Sequence, residues 1–172
     1  MGEIANKKLV IVGFMGCGKT YWGKIWGELY RIKHIDLDDE ISKAEKLSIA
    51  EIFELKGEEY FRKQESELLN HLLNDPSIIL STGGGAPCYN NNMEVIHKKS
   101  TSIYLKCNNE ILFSRLKKER PLRPLISSLN DHDLRKFIEN KIAEREAFYN
   151  QAQYILEDGE INSTSIKDLI SV

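Results

Sequence analysis

The sequence GFMGCGKT, at residues 13–20, constrains the fold of this 172-residue chain more than any other stretch. It matches the pattern GxxxxGK[ST], whose small residues let a loop curl so that successive backbone N–H groups point inward at a phosphate. An apolar run at residues 7–13 precedes it, and a helical pattern at Lys19–Tyr30 follows it. This strand–loop–helix context favours a nucleotide site over an ordinary glycine-rich turn. In such a site Lys19 reaches the β- and γ-phosphates, and the Thr20 hydroxyl can bind Mg²⁺.

The rest of the chain alternates between strand and helix patterns. Short apolar runs predict four more strands, at residues 33–38, 77–81, 101–107 and 152–158. Helical patterns cover residues 48–57, 58–74, 91–99, 109–118, 131–150 and 163–171, and the first begins with a capping box formed by Ser48 and Glu51. This alternation predicts an α/β fold with a parallel sheet covered on both faces, which binds ligands at the carboxyl ends of its strands.

Composition excludes several classes of function. The 24 basic and 26 acidic residues give a formal charge of −2, which argues against a general nucleic-acid binder or membrane-surface binder. Cys17, Cys88 and Cys107 are too far apart for a metal or redox motif, so a reduced cytoplasmic protein is the simplest interpretation. No apolar run approaches membrane-spanning length. From the size and the lack of an obvious exposed apolar helix, we expect a monomer.

Acidic residues follow the second predicted strand, in the sequence HIDLDDEI. Asp36 and Asp38 are two apart, so on an extended strand end their side chains point the same way. Asp39 and Glu40 are then expected to begin a helix, where acidic side chains suit the helix dipole. One aspartate could hold Mg²⁺ through water while the other orients or deprotonates an acceptor hydroxyl. A solvated acidic turn is the alternative.

Three consecutive glycines, Gly83, Gly84 and Gly85, follow the third predicted strand directly. Glycine loses more freedom on folding than any other residue, so a row of three needs a reason. A loop without side chains lets the ring of a small acceptor lie against the backbone and receive its N–H groups. A tight turn is the alternative, although one glycine would be enough for it.

Two helical patterns carry arginines. Arg62 lies three residues before Glu65, and Arg145 lies four residues before Tyr149. Each pair taken alone also fits a solvated helix face with a surface ion pair. Together with the aspartates, however, the arginines favour an acceptor that carries a carboxylate and hydroxyls, because arginine binds a carboxylate through two parallel hydrogen bonds.

The sequence ERPLRPLI, at residues 119–126, has two prolines between arginines and suits neither a helix nor a strand. It predicts an ordered but mobile loop carrying Arg120 and Arg123. Such a loop could close over the nucleotide and bring positive charge to the transferring phosphate.

The order of these motifs resembles the shikimate kinase family over residues 9–169: GxxGxGKT, DxD, FR on a helix, TGGG, RPL in a loop, and RxxxY. The resemblance implies ATP-dependent phosphorylation of the 3-hydroxyl of shikimate, in the pathway to chorismate and aromatic amino acids. It implies a three-layer α/β/α fold of the P-loop nucleoside monophosphate kinase kind, with five parallel strands in the order 2-3-1-4-5. Residues 1–172 would form a single kinase domain, with a substrate-binding segment near 33–62 and a mobile lid near 114–128.

On the nucleotide side, the resemblance implies that one short segment wraps the phosphates of ATP: Gly16, Cys17, Gly18, Lys19, Thr20 and Tyr21. Mg²⁺ would be bound by Thr20 and, through water, by Asp36. Arg115 would lie against the adenine. Arg123 would be the lid arginine that contacts ATP, with Arg120 as the alternative because RPL occurs twice.

On the acceptor side, the resemblance implies that Asp38 binds the shikimate hydroxyls and acts as the base at the 3-hydroxyl, in a catalytic set with Lys19 and Arg123. Arg62 and Arg145 would clamp the carboxylate. The remaining substrate-binding residues would be Gly83, Gly84 and Gly85, with Glu65 behind them.

Three other functions remain open from the residues. A gluconate kinase or a nucleoside monophosphate kinase would share the phosphate loop and the layered sheet. A regulatory module would bind the nucleotide without transferring phosphate, but it would not need both Asp38 and converging arginines.

Overall fold

The five strands form one parallel sheet in the centre of the molecule. They are β1 (Lys8–Val12), β2 (His34–Asp36), β3 (Ile78–Ser81), β4 (Thr101–Lys106) and β5 (Tyr154–Glu157). Their order is β2-β3-β1-β4-β5, and every neighbouring pair is parallel. The predicted sheet and its order are therefore confirmed. The structure, a computed structural model, describes residues 7–170; residues 1–6 and 171–172, which the expected domain includes, lie outside the described residues.

Seven helices flank the sheet among the described residues. They are α1 (Lys19–Tyr30), α2 (Leu37–Glu45), α3 (Ile49–Leu72), α4 (Asn92–Lys99), α5 (Asn109–Glu119), α6 (Asp131–Tyr149) and α7 (Lys167–Ile170). Short 3-10 helices lie at Ala86–Cys88, Arg120–Leu122 and Pro124–Ile126. In residues 7–170, no helix combines the length and the apolar character needed to cross a membrane.

The core lies on both faces of the central strands. Val10, Ile11, Leu80 and Ile103 are completely buried. Burial of such a side chain stabilises the fold by about 1.5–3 kcal/mol. Only the middle strands of the sheet are covered on both faces, so the continuous apolar runs of the sequence form those strands.

Two predicted helices form one run in the structure. The patterns at 48–57 and 58–74 merge into α3, which is kinked at Gly57, where φ is 83°. The predicted capping box is confirmed, because Ser48 and Glu51 each bind the other's backbone N–H. At the C-terminus, only the turn Lys167–Ile170 of the predicted helix 163–171 is α-helical, and Ser171 lies outside the described residues.

The strand predicted at residues 33–38 ends earlier, at Asp36, and the prediction that Asp38 sits on a strand end is wrong. The Asp36 carboxylate accepts hydrogen bonds from the N–H groups of Asp38 and Asp39, so it caps α2 and the helix begins at Leu37. Asp38 therefore lies in the first helical turn. Because β2, β3 and β1 are neighbours, this turn, the glycine loop and the phosphate loop all meet at one edge of the sheet.

Candidate active site

The phosphate loop joins β1 to α1. Gly16 and Gly18 have φ values of 81° and 96°, in the left-handed region that favours glycine. The buried Lys19 ammonium group donates hydrogen bonds to the carbonyl oxygens of Gly13 (2.8 Å) and Phe14 (2.9 Å), which hold it over the loop. The N-terminus of α1 adds its positive dipole end to the same point. This arrangement is suited to binding a chain of phosphates.

Thr20 and Asp36 form the part of the site that suits Mg²⁺. The Thr20 hydroxyl donates to Oδ2 of Asp36 at 2.5 Å, so two oxygen ligands lie side by side at the end of the loop. No cluster of three or more His, Cys, Asp or Glu that could hold a metal occurs within residues 7–170. Mg²⁺ usually takes one or two protein oxygens and completes its shell with phosphates and water, so this pair fits it.

A cavity of about 510 Å³ opens above the phosphate loop, large enough for a nucleotide. Its lining includes Tyr21, Arg115 and Arg123. Arg115 donates to the carbonyl of Gly16 at 3.0 Å, which fixes its guanidinium beside the loop.

The two lid arginines have different partners. Arg123 lines the cavity, and its Nε and Nη2 atoms lie 2.7 Å and 2.6 Å from Oε2 of Glu119. Arg120 instead donates to Asp131 at the start of α6, at 2.6 Å. This placement supports Arg123 rather than Arg120 as the arginine that reaches the nucleotide. The segment also contains two 3-10 turns, where the sequence predicted neither helix nor strand.

The glycine loop is shaped by close approach and not by backbone conformation. The glycines with positive φ in the described part of the chain do not include Gly83, Gly84 or Gly85. A Cβ on Gly83 would lie 2.6 Å from Asp38 Oδ1, and one on Gly85 would lie 2.7 Å from Arg62 Nη2. Side chains from neighbouring elements fill the space that a larger residue would need, so close packing, and not a special turn conformation, accounts for Gly83 and Gly85.

Two helices hold the acceptor side of the loop. On α3, Arg62 Nη1 donates to Glu65 Oε2 at 2.8 Å, and the Tyr89 ring lies 4.1 Å from the Arg62 guanidinium carbon. On α6, the Tyr149 hydroxyl donates to the Gly84 carbonyl at 2.5 Å. Arg145 approaches the same glycine, with Nη1 3.5 Å from the position of a Gly84 Cβ. The helical pairs that sequence alone could not distinguish from surface pairs therefore converge on the glycine loop.

Two buried carboxyl oxygens face this loop. Within residues 7–170, Asp38 Oδ1 and Glu65 Oε1 are buried without a hydrogen-bond partner, and both lie within 3.1 Å of the position of a Gly83 Cβ. Burial, reinforced by the charge of Asp36, raises the pKa of Asp38 to about 6. Burial also raises the pKa of Glu65 to about 7, against the opposing effect of Arg62. Buried acceptors without partners are costly, so a ligand that supplies hydroxyl groups at this position would be stabilised by both carboxyls.

The structure thus brings the predicted residues into two adjoining groups. The nucleotide cavity is lined by a set that also reaches the acceptor side: Gly16, Gly18, Lys19, Thr20, Tyr21, Asp36, Asp38, Gly83, Gly84, Arg115 and Arg123. Arg62, Glu65, Gly85 and Arg145 are not part of that lining and surround the glycine loop from α3 and α6. Cys17 is buried within the phosphate loop.

Sequence reasoning gave no site role to four residues that line the cavity: Met15 and Thr82, which lie within the phosphate-loop and TGGG motifs, and Trp22 and Glu119. Trp22 lies on the helix face that the periodicity assigns to the core, and its ring packs edge-on against Tyr21 at 5.1 Å. Glu119 lies four residues before Arg123, a spacing that indicates an ion pair but not its place in a cavity.

Comparison with known sequences gives one consistent family. The shikimate kinase family model matches residues 15–171. A shikimate kinase of Azobacteroides pseudotrichonymphae is 38% identical over 150 residues, which cover 87% of this chain and 88% of that protein. A shikimate kinase of Flavobacterium johnsoniae is 36% identical over 169 residues, which cover 96% and 98%.

Solved structures agree with the sequence relatives. The crystal structure of shikimate kinase from Bacteroides thetaiotaomicron matches with a TM-score of 0.87 and 32% identity, covering 95% of this chain and 94% of that one. Shikimate kinase from Acinetobacter baumannii, solved in complex with shikimate, matches with a TM-score of 0.80 and 30% identity, covering 95% and 88%.

Proposed function

The chain belongs to the shikimate kinase family, and we propose that it transfers the γ-phosphoryl group of ATP to the 3-hydroxyl of shikimate. The products are shikimate 3-phosphate and ADP, in the pathway to chorismate and aromatic amino acids. The observation that carries the residue assignments is the position of Asp38. This carboxylate lines the nucleotide cavity, yet its Oδ1 faces the glycine loop on the acceptor side without a partner.

On the acceptor side, Arg62 and Arg145 bind the carboxylate of shikimate. Gly84 contributes its backbone N–H, and the hydroxyls face Asp38. Asp38 then accepts the proton of the 3-hydroxyl as that oxygen attacks the γ-phosphorus. The buried Glu65 orients Arg62 through their 2.8 Å ion pair. Because a bidentate arginine fixes direction as well as charge, the clamp places a single hydroxyl in line with the nucleotide.

On the nucleotide side, residues 16–21 wrap the phosphates, and Lys19 neutralises charge on the β- and γ-phosphates. Thr20 and Asp36 would hold Mg²⁺, Thr20 through its hydroxyl and Asp36 through a water molecule. When bound, Mg²⁺ offsets negative charge on the phosphate oxygens. Arg115 lies against the adenine, and Arg123 adds positive charge at the transferring group. The attack is direct and in line, so no phosphoenzyme is required.

A coupled assay of ATP consumption tests this proposal. The enzyme is supplied with Mg²⁺ and one of three acceptors: shikimate, gluconate or AMP. We expect turnover with shikimate alone. Turnover with gluconate or AMP would leave the nucleotide site standing and overturn the acceptor pocket. ATP binding without any turnover would favour the regulatory module.

We further propose that the protein acts as a cytoplasmic monomer, a single kinase domain with a substrate-binding segment near residues 33–62 and a mobile lid near residues 114–128. A monomer would suffice for this chemistry, since the proposed functional residues of one chain already face one another. Support for lid movement comes from Arg120–Leu122 and Pro124–Ile126, whose Leu122 and Leu125 are 83% and 72% exposed. Closure would bury such leucines and exclude water from the transfer.

A further inference from the structure

We propose that His34 is a positioning residue for the nucleotide site. Its imidazole, acting through the Ser81 hydroxyl, holds the main-chain carbonyl of Lys19 and so sets the direction of the first turn of α1. This inference deepens the proposed function and rests on its nucleotide half, in which Lys19 and Thr20 bind the phosphates and Mg²⁺.

A hydrogen-bonded chain links the three residues. His34 Nε2 lies 2.9 Å from Ser81 Oγ, and Ser81 Oγ donates to the carbonyl of Lys19 at 3.0 Å. A hydroxyl has one hydrogen to give. Since that hydrogen goes to Lys19, the contact with His34 requires Nε2–H as donor and Oγ as acceptor. Ser81 is fully buried, so its two partners fix the rotation of its hydroxyl.

The histidine ring lies directly against the backbone of α1. A Cβ on Gly23 would come within 2.4 Å of His34 Nε2 and 2.5 Å of its Cδ2. A Cβ on Gly27, one turn later, would lie 3.1 Å from His34 Cβ. The two glycines therefore form a groove in the helix that this ring fills. Ser81 Oγ also lies 2.8 Å from the position of a Gly23 Cβ, so the hydrogen bond and the helix contact restrain the same edge of the imidazole.

The same part of β2 makes a second contact with the same helical turn. Asp36, two residues after His34, accepts the Thr20 hydroxyl at 2.5 Å. Strand β2 thus bears on two successive residues of the phosphate site: on the Lys19 carbonyl indirectly, through Ser81 of β3, and on the Thr20 side chain directly, through Asp36. Loss of the His34 contact frees the Ser81 hydroxyl to rotate and leaves the contact between Asp36 and Thr20 in place. Since a misplacement of about 1 Å in a catalytic group can cost about 100-fold, a shift of a few tenths of an ångström is measurable.

The test uses His34→Phe, which keeps an aromatic ring without an N–H, and His34→Gln, which returns a donor at similar reach. Dissociation constants for ADP with Mg²⁺ are measured by calorimetry, and KM is measured separately for ATP and shikimate. Removing one hydrogen bond is expected to weaken ADP binding by about 5- to 10-fold and to raise the KM for ATP similarly. The KM for shikimate should stay within two-fold, and His34→Gln should recover most of the loss.

Ser81→Ala removes the hydroxyl in the middle of the hydrogen-bonded chain from His34 to Lys19, so it tests the same link with a second variant. It should reproduce the effect of His34→Phe, and the double variant should be no worse than either single one, because all three break the same chain. His97→Phe, at an exposed position on α4, is the matched control and should change none of these constants. Melting temperatures of all variants are recorded alongside.

Three results would overturn the inference: a lower melting temperature with unchanged ADP binding, an equal loss for both substrates, or no recovery by His34→Gln. The proposed function fails differently. If shikimate is not the acceptor, the unmodified enzyme shows no turnover with shikimate, but His34→Phe still weakens ADP binding.

Discussion

Replacing Gly85 by alanine should damage acceptor binding while leaving nucleotide binding intact. Gly85 has a φ of −92°, so alanine suits its backbone and only the added methyl group matters. That methyl would lie 2.7 Å from Arg62 Nη2 and 2.9 Å from Nη1. An ordinary contact needs at least 3.4 Å, so the guanidinium must retreat by about 0.7 Å.

A retreat of this size breaks the bidentate geometry of the proposed carboxylate clamp. A hydrogen bond to a charged group contributes about 1.5–3 kcal/mol, so losing one raises the KM for shikimate by about 10- to 100-fold. The KM for ATP should remain within two-fold, because the phosphate loop makes no use of Arg62. The assay is the coupled measurement of ATP consumption, with each substrate varied at saturation of the other.

The neighbouring glycines provide matched comparisons. A methyl on Gly84 would meet its nearest protein atoms at 3.4 Å and 3.5 Å, so Gly84→Ala should leave the protein undistorted, and any rise in the KM for shikimate then reports direct contact between the methyl and the acceptor. A methyl on Gly83 would lie 2.6 Å from Asp38 Oδ1, so Gly83→Ala should lower kcat instead of raising the KM for shikimate. The reasoning is refuted if Gly85→Ala leaves the KM for shikimate unchanged, or if all three variants lose activity alike with lowered melting temperatures.

Three further predictions concern the charged groups. Arg62→Lys keeps the charge but loses the pair of N–H donors that binds a carboxylate, so the KM for shikimate should rise more than ten-fold while the KM for ATP stays near normal. An unchanged KM for shikimate would contradict the assignment of Arg62 to the carboxylate clamp. Glu119→Gln frees the half-exposed Arg123, so the KM for ATP should fall by about two-fold and ATP hydrolysis without acceptor should increase. Glu110 lies on the same helix as Glu119 and pairs with Arg135 of α6, so the control Glu110→Gln should do neither. Because burial raises the pKa of Asp38 to about 6 and the base must be ionised, kcat/KM for shikimate should fall as the pH drops below about 6; a flat profile down to pH 5 would exclude Asp38 as the base.

Much of the fold could be predicted because its signals are local. The apolar runs around Val10 and Leu80, the phosphate loop and the Ser48 capping box each depend on neighbouring residues. The order of the strands came from the resemblance of the ordered motifs to a family, since no local pattern specifies which strands pair.

The position of Asp38 shows where local pattern reasoning failed. Asp36 and Asp38 are two residues apart, the spacing of side chains on one face of a strand, so this spacing alone favours an extended backbone. In the structure the Asp36 carboxylate binds the N–H groups of Asp38 and Asp39, and this cap starts the helix two residues earlier than expected. Asp36 both caps α2 and accepts the Thr20 hydroxyl. Neither role gives it a sequence pattern that differs from that of an ordinary acidic turn.

The contacts that determine roles within the site could not be predicted. The pair Glu119 and Arg123 has the spacing of an ordinary surface ion pair, and only the fold places it in the nucleotide cavity. His34 and Ser81 are 47 positions apart, and the register of β2 with β3 brings them together. Tertiary packing decides both cases, so no sequence window contains the information.

The central claim is that this arrangement directs one hydroxyl of shikimate at the γ-phosphate of ATP. The most direct test is identification of the product by phosphorus and proton NMR after complete reaction with ATP and Mg²⁺. The proposed geometry predicts a single phosphate ester whose phosphorus couples to the proton on carbon 3, formed in equal amount with ADP. A phosphate on another hydroxyl, or ADP formed without a phosphorylated acceptor, would contradict it.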